Sequence, residues 1–123
     1  MKIRLLHIDD SEVDARVVRY LIQQMEMSVD LHWVPSLDDL QEINANDFDA
    51  VLLNMCLTVT RGRETMNAYN KYGFKLPLIV LTGMEDRKLG REMLALGAQE
   101  YMNKATLSFE LLEKTIEYAI ERY

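Results

Sequence analysis

Cysteine is almost missing from this chain. Cys56 stands alone, so no internal disulfide can staple the fold, which suits a reducing cytoplasm. No run of roughly 18 apolar residues is present to cross a bilayer. The N-terminal apolar stretch, which ends at Asp9 and Asp10, is too short for a signal peptide. Basic charge is also in short supply: 14 Lys and Arg face 20 Asp and Glu, for a net charge of −6. A phosphate backbone needs a basic surface, so nucleic acid is not expected as a direct ligand of this domain, whatever a neighbouring domain binds. There is no Pro/Gly/Ser linker, internal repeat or low-complexity stretch to divide the 123 residues. What is there is ordinary globular composition, 49% hydrophobic and 28% charged, enough to build one core without disulfide or metal.

Short apolar runs alternate with amphipathic stretches along the whole chain. Ile3 to Ile8 reads as a buried strand, followed by Ser11 as a helix cap with acids behind it. Val13, Val17, Leu21 and Met25, with Val18 and Ile22 alongside, predict a helix with one apolar face. Leu31 to Val34 is a second strand, closed by Pro35, and Ser36 caps a short helix carrying Leu37, Leu40 and Ile43. Ala50 to Leu53 and Pro77 to Leu81 are fully apolar, as strands buried on both faces of a parallel sheet are. Helices are expected around Arg63 to Tyr72 and from about Asp86 to Leu96, the latter stopped by Gly97. Gln99 to Met102 is a short last strand, and Ser108 caps a final helix through Leu111, Leu112, Ile116, Ala119 and Ile120. Five strands, each followed by a helix, imply an α/β fold: a doubly wound, flavodoxin-like (βα)5 parallel sheet of order 2-1-3-4-5.

In such a sheet, ligands bind beyond the carboxyl ends of the strands. The polar residues at those ends are Asp9 and Asp10, then Asn54, then Thr82, and then Lys104. Singly these are a helix cap, a turn residue and a solvated charge. Their arrival at one edge is what singles them out.

That set resembles the receiver domain of response regulators in two-component signal transduction, over essentially the whole chain. Asp9-Asp10 match the family's acidic pair, and Thr82-Gly83 its switch position. Tyr101 and Lys104 match its aromatic and lysine, inside Gly97-Ala98-Gln99-Glu100-Tyr101-Met102-Asn103-Lys104. Leu57 and Gly62 match the loop after the phosphoacceptor. The resemblance implies a regulatory domain rather than an enzyme. By the same resemblance a histidine kinase or phosphotransfer protein would be its partner, Thr82 and Tyr101 its coupled switch pair, and Lys104 its phosphate-sensing lysine.

Asn54 departs from the family, standing where the phosphoacceptor Asp belongs. An amide is a very poor nucleophile and would not form an acyl phosphate. Mg²⁺ prefers charged oxygen ligands, and with Asp9 and Asp10 as the only acids its binding is expected to be weak. Loss of one of three crowded carboxylates also relieves repulsion. Lys104 is expected to pair with Asp10, or to bond Asn54, when no metal is bound. Without a phosphoryl group nothing shifts the switch, so one dominant Tyr101 rotamer is expected, set by packing. Thr58 and Ala105 stand where the family has proline, and Ala105 implies a trans bond after Lys104. The set describes a pseudo-receiver, a phosphorylation-independent interaction or dimerisation module. The alternative is an ordinary phospho-switch carrying an engineered Asp-to-Asn change at position 54; the two proline departures favour the native reading.

Rival chemistries lack their motifs. A haloacid-dehalogenase-type phosphatase needs Asp-x-Asp, a flavodoxin a Ser/Thr/Gly-rich phosphate loop, and a P-loop NTPase G-x-x-x-x-G-K-S/T. Cys56 beside two acids has no cation to form a thiolate. His7 reads as a satisfied core histidine, His32 as a surface residue, and the eight methionines as core filler. The final helix reaches Tyr123 still apolar. It is therefore expected to continue as a signalling helix into an output domain, making residues 1–123 the N-terminal part of a longer protein that forms a parallel homodimer; the alternative is a stand-alone receiver whose last turn frays.

Overall fold

The structure is a computed structural model that describes residues 2–57, 60–83 and 87–123. The apolar runs become five parallel strands: β1 (Lys2–Ile8), β2 (Ser28–Val34), β3 (Ala50–Asn54), β4 (Leu78–Thr82) and β5 (Glu100–Asn103). Their order is β2-β1-β3-β4-β5, as expected. β3 and β4 are buried along their entire length, because helices cover both faces of the sheet.

Among the described residues, four α-helices make those covers: α1 (Glu12–Gln23), α2 (Arg63–Asn70), α3 (Arg87–Ala95) and α4 (Phe109–Arg122). Ser11 and Ser108 cap as expected, their hydroxyls accepting from the N–H groups of Asp14 and Leu111. Gly97 ends the α3 segment at φ 116°, a conformation that glycine adopts without strain. The expected helix start at Asp86 and the expectation at Thr58 lie outside the described residues.

Alternation along the strands divides the core in two. Leu5, Leu52, Ile79, Leu81 and Met102 face α1 and α4, while Leu6, Ile8, Leu53 and Val80 face α2 and α3. Each fully buried Leu or Ile side chain contributes about 1.5–3 kcal/mol. The α4 stripe expected to run on as heptads is used here: Leu112, Ile116 and Ala119 close on the sheet, Ile120 packs beside them and Tyr123 stays exposed.

Two expectations fail locally. After β2 there is no α-helix, only 3-10 turns at Leu37–Glu42 and Ala45–Asp47. Leu37, Leu40 and Ile43 recur every three residues, the period of a 3-10 turn rather than an α-helix. On α1, Val13 and Val17 are exposed, and the buried line is Ala15, Val18 and Ile22, with Met25 buried just past the helix end. A strict four-residue repeat drifts around the helix, whereas mixed spacings of three and four hold one side.

Candidate functional site

The carboxyl end of β1 carries Asp9, which is fully buried. Its backbone is held there from both sides: Asp9 N–H donates to Val34 O, and Trp33 Nε1 donates to Asp9 O at 2.6 Å. Alternation sends the Asp9 side chain toward α1 and α4. There the carboxylate collects donors. Oδ1 accepts from Ser11 N at 2.9 Å and from Asn54 Nδ2 at 3.2 Å. Oδ2 accepts from Lys104 Nζ at 3.2 Å. Burial would raise the Asp9 pKa, but the His7 imidazole, the Ser11 N–H and the Lys104 ammonium outweigh it and hold the carboxyl below its ordinary value.

Asn54 ends β3 and is nearly fully buried. Its Nδ2 also donates to Cys56 O at 2.8 Å, so one amide nitrogen ties together two acceptors. This fixes the amide's orientation: only an N–H group satisfies both neighbours.

Lys104 lies just past β5 and is drawn into the site by a second carboxylate, Asp14, at 2.6 Å. The expected pairing with Asp10 or Asn54 is therefore corrected: Lys104 reaches Asp9 and Asp14. Asp10 follows Asp9 by one residue and so faces the other side of the sheet. There it lines a cavity of about 510 Å³ with Pro35, Leu37, Leu57 and Tyr72, beside the 3-10 turns. The sequence alone marks Asp14 only as a first-turn acid. The signal that could have found it is its place one turn into a helix that starts at the site.

His7 is fully buried, as expected of a core histidine, but it is not satisfied as expected. Neither ring nitrogen makes a formed hydrogen bond among the described residues. Nε2 lies 3.5 Å from Asp9 Oδ2, at the outer limit of hydrogen-bond reach. His32 is exposed, with its ring edge-on to Phe48.

Thr82 ends β4, is 5% exposed and pairs in register with Asn103. Tyr101 lies on β5 opposite Val80, and its side chain projects from the α3 side of the sheet, over Gly90. The bond after Lys104 is trans, as Ala105 implies; no cis peptide occurs among the described residues. Asp9, Asn54 and Lys104 thus meet directly, and Asp10, Thr82 and Tyr101 stand on the opposite side of the same edge.

A doubly wound parallel sheet with an acid pair, a strand-end hydroxyl and a lysine at its carboxyl edge has the site layout of a signalling receiver. A family model of the response regulator receiver domain matches residues 5–117, and the chain belongs to that family. It is the receiver domain of a two-component response regulator. It is 30% identical over 111 residues to the transcriptional regulatory protein DltR of Streptococcus agalactiae, covering 90% of this chain and 49% of that protein. Against the transcriptional regulatory protein CutR of Streptomyces coelicolor the identity is 26%, covering 90% of this chain and 51% of that one. The chain thus spans about half the length of these curated relatives. Among solved structures, a response regulator receiver domain protein from Clostridium thermocellum shares the fold, with a TM-score of 0.80 at 23% identity over 98% of this chain and 95% of that one. No helix among the described residues is long and apolar enough to cross a membrane.

Proposed function

We propose that this receiver accepts no phosphoryl group and works as a phosphorylation-independent interaction or dimerisation module. One observation carries the reading: the Asn54 amide sits where the reacting carboxylate would stand and bonds Asp9 Oδ1 and Cys56 O through its nitrogen. A carboxylate has a charged oxygen to attack phosphorus; an amide has none, and here its nitrogen is already committed. Ala105 and Thr58, where the family has proline, support the native rather than the engineered origin of Asn54.

The donor set fits Mg²⁺ poorly. Asp9 and the Cys56 carbonyl are hard oxygen ligands, but an N–H already serves both, and the Lys104 ammonium lies 3.2 Å from Asp9. Mg²⁺ demands charged oxygens in near-octahedral array, but Asp9 and Asp14 are both held by Lys104, and Asp10 faces the other side of the edge. Kinase or phosphotransfer partners follow from the family, and on this reading phosphotransfer from them is lost. The half-length match to two transcriptional regulatory proteins supports an output domain beyond α4.

Beryllofluoride, which mimics a bound phosphoryl group, tests the reading. With Mg²⁺ and beryllofluoride, the amide resonances of Thr82, Tyr101 and Lys104 are expected to stay in place, because no carboxylate at position 54 can hold the mimic. A saturable shift at these residues contradicts the proposal.

A further inference from the structure

Gly90 sits inside α3, the interior of a helix, where glycine is weaker than alanine by about 1 kcal/mol. The structure shows what its missing side chain makes room for. A Cβ at position 90 would lie 2.5 Å from Cε2 and 2.6 Å from Cε1 of Tyr101, with Cζ closer still. Real Cβ atoms do not approach other atoms so closely, so the ring rests directly on the helix backbone. Gly90 itself is buried, and Tyr101 is 37% exposed, its ring packed on one side and wet on the other.

We infer that Gly90 is a positioning residue: it forms a seat that holds the Tyr101 ring against α3 and so sets its rotamer without reference to the site at Asn54. Tyrosine has two χ angles before a rigid ring, so clamping the far end of the ring fixes both. The ring then acts as a strut between β5 and α3. Any swing of Tyr101 toward Thr82 must first leave this seat, and a neutral, fully bonded Asn54 offers no differential interaction to drive it. The inference deepens the proposed function and rests on it for that last step alone. The seat is a matter of local packing and is tested apart from phosphoryl acceptance.

Two readouts on the full chain decide it. Fluorotyrosine labelling gives one fluorine resonance for each of six tyrosines, and Tyr101 is assigned by its disappearance in Tyr101→Phe. Gly90→Ala should shift the Tyr101 resonance and leave the other five in place, because the new methyl expels that ring alone. A merely structural role for Gly90 would not move it selectively. The second readout is a double-mutant cycle in urea. With Tyr101→Ala the ring that the methyl would strike is gone and helix propensity favours alanine, so Gly90→Ala should raise the unfolding midpoint. With Tyr101 present the same change should raise the midpoint less, or lower it. An unmoved Tyr101 resonance, or equal midpoint shifts in the two backgrounds, overturns the inference.

Discussion

Asn54→Asp is expected to destabilise the domain by about 2–4 kcal/mol at neutral pH when no divalent metal is present. The amide nitrogen now donates to Asp9 Oδ1 at 3.2 Å and to Cys56 O at 2.8 Å. A carboxylate there would present an acceptor to two acceptors and a second anion to a buried first one. Two hydrogen bonds vanish and a nearly buried charge is left without a partner. Lys104 cannot answer for both acids, because it is already shared between Asp9 and Asp14. The same three oxygens, however, form a hard site for Mg²⁺. Mg²⁺ should therefore restore the variant, by about 2.7 kcal/mol at a concentration ~100 times its Kd, and leave the parent almost untouched. Urea unfolding of both proteins with and without Mg²⁺ measures this. Equal metal responses would show that the Asn54 amide is not what makes this site a poor one for Mg²⁺.

Lys104→Met is expected to cost about 2–3 kcal/mol at neutral pH. Asp9 is fully buried and Lys104 is 21% exposed, so water screens the pair little. Removal of the ammonium leaves Asp9 with the Ser11 N–H, the Asn54 amide and the His7 contact, which is why the cost stays below that of stranding a wholly unpaired charge. Asp14 is 41% exposed and loses little. The sign of the pH dependence comes from Asp9. Its folded pKa lies below the ordinary aspartate value. The stability it brings is therefore present above that value and lost as pH falls through the folded one. Without Lys104 the opposing effect of burial is less compensated, so the variant protonates Asp9 at higher pH. The gap between parent and variant should be full near neutrality and close in acid, once both proteins carry a neutral Asp9. Stability curves against pH read this directly; a gap that persists unchanged into acid would assign the loss to packing instead.

The sheet is legible in the sequence because Ala50-Val51-Leu52-Leu53 and Leu78-Ile79-Val80-Leu81 are apolar on both faces, as strands covered on both sides are, and because they alternate with helical stretches along the chain. The chain after β2 is less so: a Ser cap followed by apolar residues suggests an α-helix, and only the strict three-residue spacing of Leu37, Leu40 and Ile43 marks the tighter 3-10 turn that forms. At the site, residue types mark the edge but not the pairings. Which of two adjacent acids meets Lys104 depends on which face of β1 each one takes. Asp9 takes the α1 side, where Asp14 completes the ion pair. The burial of His7 is legible from its place in an apolar strand, and its missing hydrogen bond is not, since that depends on ångström-scale positions across the sheet. The seat at Gly90 is hidden for the same reason: a lone glycine in a helical stretch says nothing of the ring from β5 that lies on it.

The claim that Asn54 closes this receiver to phosphotransfer is tested most directly by intact-mass analysis after exposure to acetyl phosphate and Mg²⁺, run side by side on the parent protein and Asn54→Asp. Only the variant should gain a phosphoryl group, and hydroxylamine should remove it, as befits an acyl phosphate. A hydroxylamine-labile phosphoryl group on the parent would contradict the claim.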